Sequence, residues 1–148
     1  MTPRPARPPL AMLLLQRGRW LDRVMTARLH ARGWPKLTSA QSLVFASLHP
    51  ESTPLAVLTE RLGTTRQSTH ELVTGLVKLG LISLVPDQDD PRRRSIELTP
   101  NGRRLARQAA TIFAELERHL ADQLGSDRLE LLRDTLTAEW EPPQNTAP

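Results

Sequence analysis

From Leu10 onward apolar residues recur near helical spacing, at Leu13, Leu14, Trp20, Leu21, Val24, Met25 and Leu29, with arginines between them. This predicts a long amphipathic helix to about Arg32, stopped by Pro35. Thr38-Ser39-Ala40-Gln41 has the Thr-x-x-Gln spacing of a capping box. It predicts a second helix holding Leu43, Val44, Phe45 and Leu48 and ended by His49-Pro50. Ser52-Thr53-Pro54 places a hydroxyl before a proline at a first helical position, ahead of Leu55, Leu58 and Leu62, with Gly63 closing that short helix. Thr64 or Thr65 then caps a further helix. Leu72, Val73 and Leu76 face its core side, and Arg66, Gln67, His70, Glu71 and Thr74 look outward.

Two helices joined by a short turn around Gly63 form a helix-turn-helix. Gly80 ends the second of them, and Leu81 to Val85 reads as a strand bounded by Pro86. Arg94 to Leu98 pairs with it across the loop from Pro86 to Arg93, and a hairpin in this place is a wing. Leu98-Thr99-Pro100 again sets a hydroxyl before a proline and launches a helix through Leu105, Ile112, Leu116 and Leu120 to Leu124. After Gly125, Asp127 and Glu130 have capping-box spacing for a last helix with Leu129, Leu132, Leu136 and Trp140, ended by Glu141-Pro142-Pro143.

The expected fold is mainly α with a small β-hairpin wing, a winged helix-turn-helix core flanked by N- and C-terminal dimerisation helices. Its divisions are a disordered tail over 1–9, an N-terminal dimerisation helix over 10–36 and the winged helix-turn-helix over 37–99. C-terminal dimerisation helices over 100–141 and a tail over 142–148 complete it. The apolar stripes of the flanking helices exceed what so small a central module covers, so a homodimer is expected.

Charge adds a direction to this pattern. The chain of 148 residues carries a formal +4, but residues 1–36 hold +7 and residues 105–148 hold −4. A basic front favours an acidic polymer as partner. There are no cysteines, so disulfides and thiol redox chemistry are excluded. No apolar run approaches the roughly 18 residues of a membrane span. The six-residue run Leu10 to Leu15 lacks a small-residue cleavage site behind it, so no signal peptide is expected and the localisation is read as cytoplasmic.

The outward face of the second helix-turn-helix element carries groups that read base edges. Arg66 can bridge guanine O6 and N7, and Gln67 adenine N6 and N7, each bidentate pair discriminating by about 1–3 kcal/mol. Thr65 and Ser68 have hydroxyls that reach phosphate or base edges, although N-capping explains them equally. His70 and Thr74 share that face. At the wing, Arg92, Arg93 and Arg94 suit a phosphate backbone. Yet Asp87, Asp89, Asp90 and Glu97 leave residues 87–97 at −1, so the wing's value lies in where its arginines point.

Catalysis has no support. His30, His49, His70 and His119 fall on separate elements, with no Ser/His/Asp set, no metal-ligand spacing and no glycine-rich phosphate loop. No cofactor is expected. A protein-docking winged helix and a metal-responsive regulator are the alternative readings.

Leu37-Thr38-Ser39-Ala40-Gln41, then Leu55-Ala56-Val57-Leu58-Thr59-Glu60-Arg61-Leu62-Gly63, then Asp90-x-Arg92 and Leu98-Thr99-Pro100-x-Gly102, resemble in this order and spacing the MarR family of winged helix-turn-helix regulators. The resemblance covers roughly residues 10–140. It implies a homodimer with each recognition helix in a major groove and each wing reaching an adjacent minor groove, on a near-palindromic duplex. Many members are repressors released by small aromatic, lipophilic or acidic ligands, which implies an effector of that class here. Carried onto this sequence, Thr65, Arg66, Gln67, His70 and Thr74 would read the groove. Arg92, Arg93 or Arg94 would make the wing contact, and Asp90 would brace a wing arginine. Three positions depart from the family: Glu71 stands where a basic residue is frequent, Leu84 where an arginine is, and Gly75 lies inside the recognition helix. Trp20, Trp34, Arg23 and Arg28 suit an effector cleft, but flanking-helix tryptophans are more often packing, and no ligand-binding residue is assigned.

Overall fold

The apolar spacing from Leu10 produces α1 (Leu10–Ala31) in the computed structural model, which describes residues 7–141. Most of the expected N-terminal tail and all of the tail at 142–148 lie outside the described residues. Near the end of α1, Met25 and Leu29 are buried, while Leu10, Met12, Leu13 and Leu15 are exposed. Thr38 and Gln41 close their capping box. The Thr38 hydroxyl accepts from the Gln41 amide at 3.1 Å, and the Gln41 side-chain oxygen accepts from the Thr38 amide at 3.0 Å. This starts α2 (Ser39–Ala46), which ends before His49-Pro50, with Ser47 donating its hydroxyl and its amide back to the Leu43 carbonyl.

At Thr53 the structure corrects the sequence reading. Thr53 caps nothing: its side chain is buried, its hydroxyl accepts from the His49 amide at 2.7 Å, and Thr53–Pro54 form a strand, β1. Helix α3 (Leu55–Leu62) follows without a side-chain cap. Pairing with a buried strand satisfies this backbone better than an exposed cap would, and a two-residue strand is too short to leave a periodicity. Gly63 ends α3 in the left-handed region at φ 58°, where a side chain is disfavoured. The chain then enters α4 (Arg66–Lys78) with Thr65 as N-cap.

The hairpin forms as β2 (Ile82–Pro86) and β3 (Arg94–Leu98), antiparallel, with Leu84 opposite Ile96 and Pro86 opposite Arg94. β1 adds to the other edge of β3, Thr53 opposite Ile96, giving a three-stranded sheet in the order β1-β3-β2. α4 packs against α2, α3 and β2. Val44, Leu58, Val73, Leu76, Leu81, Ile82 and Ile96 are almost wholly buried at this junction. Each such side chain contributes about 1.5–3 kcal/mol relative to exposure. Helix α4 is therefore held by three elements.

Thr99 caps α5 (Pro100–Leu124) as its spacing predicts, accepting from the Gly102 amide at 3.0 Å and donating to the Gly80 carbonyl at 2.6 Å. A Cβ at Gly102 would lie 1.9 Å from the Leu81 carbonyl oxygen, so only glycine permits this approach. The chain divides into two compact units after Ala110, within α5. In the second, Ile112 and Leu116 are buried, and α6 (Ser126–Thr137) follows Gly125. No Asp127 capping box forms. Gly125 is the N-cap, and Glu130 turns instead to Arg133, which also meets Glu117 at 2.9 Å. The Glu117 hydrogen bond and the two negative charges raise the Arg133 pKa further. Trp140 lies beyond the helix, its indole donating to the Thr135 carbonyl at 3.1 Å.

Candidate nucleic-acid interface

Thr65 is extended, so its hydroxyl can turn onto the first turn of α4, accepting from the Ser68 amide at 3.1 Å and donating to the Ser68 hydroxyl at 3.0 Å. The capping role is therefore present for Thr65, and Ser68 supplies the amide it caps. Thr69 is buried and donates to the Thr65 carbonyl, and with Val73 and Leu76 it forms the face of α4 that packs inward. Helical periodicity puts Gln67, Glu71 and Lys78 along the centre line opposite. Arg66, His70 and Thr74 lie to one side of that line. Arg66, Gln67, His70, Glu71 and Lys78 are all exposed, and Thr74 is half-buried.

Two side-chain pairs order this face. Gln67 Nε2 donates to Glu71 Oε1 at 3.3 Å, and His70 Nδ1 shares a hydrogen bond with Thr74 Oγ1 at 3.3 Å. Glu71 accordingly does not simply stand in place of a basic residue; it holds the amide of its neighbour one turn back. Gly75 also gains a reason. A Cβ there would meet the Gln41 amide nitrogen at 2.7 Å, so the glycine admits the side chain that caps α2 against α4.

The wing tip is built around Asp87. Its Oδ1 accepts from the amides of Asp89 and Asp90 at 3.0 and 3.1 Å, its Oδ2 accepts from the Ser95 hydroxyl at 2.5 Å, and its own amide donates to the Arg93 carbonyl at 3.0 Å. The Ser95 bond foremost, then the two amides, holds the Asp87 carboxyl below the usual carboxylate range. Asp90 repeats the pattern one turn on. Oδ1 accepts from the Arg92 amide at 3.0 Å and Oδ2 lies 3.4 Å from Arg93 Nε. Both acids thus turn inward onto the loop, whereas Arg92, Arg93 and Arg94 are exposed, the Arg93 side chain by 75 %.

The structure therefore brings Thr65, Arg66, Gln67, Ser68, His70 and Thr74 onto one helix and Asp90, Arg92, Arg93 and Arg94 onto one hairpin of the same unit. Sequence reasoning missed Asp87 as the organiser of the loop. An Asp two or three residues ahead of a turn's amides is the available signal, but three acids in four positions obscured it. Trp34, one of the residues suited to an effector cleft, donates its indole N–H to Gln108 Oε1 at 2.6 Å. A niche lined by Thr26, Leu29, Pro35, Leu37 and Ser42 holds about 10 Å³, room for roughly one water.

A sequence model of the MarR family matches residues 36–93. No curated protein matches the chain. Solved structures share the fold. The reduced form of MarR from E. coli superposes with a TM-score of 0.73 at 23% identity, covering 89% of this chain and 98% of that one. The MepR–DNA complex from S. aureus gives 0.68 at 22%, covering 88% and 96%. The transcriptional regulator BldR from Sulfolobus solfataricus gives 0.64 at 21%, covering 86% and 92%. The chain has the winged-helix fold of the MarR family of transcription regulators, and its segment 36–93 matches that family in sequence.

Proposed function

We propose that this chain is a sequence-specific regulator of transcription that binds double-stranded DNA as a homodimer, working in the cytoplasm as a repressor and not as an enzyme. The observation that carries the reading is the exposed face of α4, capped by Thr65 and ordered by its own side-chain pairs, in one unit with a wing where Asp87 and Asp90 turn onto the loop and the arginines are exposed. Arg66, Gln67, His70 and Thr74 would meet base edges. Arg92, Arg93 and Arg94 would meet phosphates or the minor groove, and Thr65 and Ser68 would bring the helix N-terminus to the backbone.

MepR from S. aureus has been solved with DNA, and MarR is described as a multiple antibiotic resistance repressor, which supports both the partner and the sign of regulation. Exposed apolar residues on α1 and on α6 support a second copy as their cover. Relief by a small aromatic or acidic ligand rests on the resemblance. Among the described residues no group of three or more His, Asp or Glu is placed to hold a metal.

Selection from a random duplex pool tests the reading. A near-palindromic motif is expected, with Arg66→Ala and Gln67→Ala each changing preference at defined positions. Arg93→Ala and Arg94→Ala should instead weaken all sequences alike and lower the salt slope by about one each. Enrichment of no motif would overturn specific regulation.

A further inference from the structure

Glu71 occupies the middle of the exposed face of α4, one turn from the helix start, where a recognition helix meets base edges. A carboxylate there is costly on any ordinary duplex, which carries one negative charge per about 1.7 Å of its axis. The four bases treat it differently. Guanine offers O6 and N7, thymine offers O4, and adenine sets its N7 beside its amine, so each presents an acceptor to an acceptor. Cytosine alone presents a donor, N4–H2, with no acceptor beside it.

The contact with Gln67 leaves Glu71 ready for that role. A carboxylate only accepts, so the Gln67 amide must turn its NH2 toward Glu71 Oε1, as it does at 3.3 Å. This occupies one carboxylate oxygen and directs the Gln67 carbonyl oxygen away. One Gln67 N–H and that oxygen stay available to the N7 and N6 edge of an adenine, and Glu71 Oε2 stays available to a neighbouring donor. Resting on the DNA-binding reading above, we propose that Glu71 is a specificity-determining residue. It accepts from a cytosine amine beside the base that Gln67 reads, and it rejects other bases at that position by repulsion.

The test compares the full-length wild type with Glu71→Gln and Glu71→Ala in selection from a random duplex pool, followed by titration of the best site carrying each base at each position. The wild type should require cytosine at one position of each half-site, with other bases binding about tenfold or more weakly. Glu71→Gln keeps an acceptor for Gln67 but loses the charge. It should relax that position alone and bind random duplex several-fold tighter. A role confined to orienting Gln67 predicts instead that Glu71→Gln reads the wild-type motif and only Glu71→Ala changes it, and that outcome overturns the proposal. So does an unaltered motif in both variants, while the DNA-binding reading survives. If the wild type enriches no motif, both fall.

Discussion

Because the two carboxylate oxygens of Asp87 are engaged by the Asp89 and Asp90 amides and the Ser95 hydroxyl, removing this side chain strands three donors in one loop. Asp87→Ala should therefore speed hydrogen exchange at the amides of Asp89 and Asp90 and weaken DNA binding as much as loss of a wing arginine does. Unchanged exchange would show that the loop holds itself. The same contact has a pH sense. Its folded-state pKa is depressed, so its contribution is complete above the usual carboxylate range and disappears as pH falls through the lower folded value. Protection at those amides should vanish in strong acid for the wild type, and Asp87→Asn should show no such step. Gly102→Ala acts through volume, not charge. Its Cβ would collide with the Leu81 carbonyl, a backbone atom that cannot swing aside, and thermal unfolding should report a loss of about 2 kcal/mol. Neither residue's part was legible in the sequence. Both depend on which distant atom arrives beside them, whereas a capping hydroxyl acts on its own next turn.

Local reach explains which elements could be read in advance. Thr38, Thr65 and Thr99 each bond an amide three residues on, so the local sequence located the starts of α2 and α5 and narrowed that of α4 to Thr64 or Thr65, of which the fold uses Thr65. β1 escaped because its partner lies across the chain, and the expected cap at Asp127 failed because Glu130 had Arg133 within reach. Thr65→Ala should cost about 1 kcal/mol in unfolding measurements and Thr65→Ser much less. α4 and α2 are also linked through Gly75 and Gln41. Alanine at 75 gains about 1 kcal/mol of helix propensity, but its methyl displaces the Gln41 side chain from the Thr38 amide. Gly75→Ala alone should change stability little, and in a Gln41→Ala background it should stabilise by about 1 kcal/mol. Additive effects in that double-mutant cycle would break the link.

A chain with so many exposed apolar residues on its flanking helices carries surface that a monomer seldom displays, among them Leu10, Met12, Leu13 and Leu15 on α1 and Leu131, Leu132 and Leu136 on α6. On the proposed dimer, Leu132→Asp with Leu136→Asp should sediment as monomer. It should bind a full palindrome on the order of 100-fold more weakly while keeping its affinity for one half-site. Sedimentation identical to the wild type would remove α6 from the interface. The apolar stripes were visible in the sequence as surplus, but what covers them was not, since a stripe names no partner. The three-stranded sheet imposes a further condition, on biosynthesis. β1 precedes the helix-turn-helix, and its partner β3 follows it, so α3 and α4 lie within a loop of chain that only the wing closes. Closing that loop costs entropy before it returns any contact. During translation β1 therefore has no strand partner until β3 has left the ribosome, and on the proposed function a nascent fragment ending before the wing should hold duplex DNA only weakly.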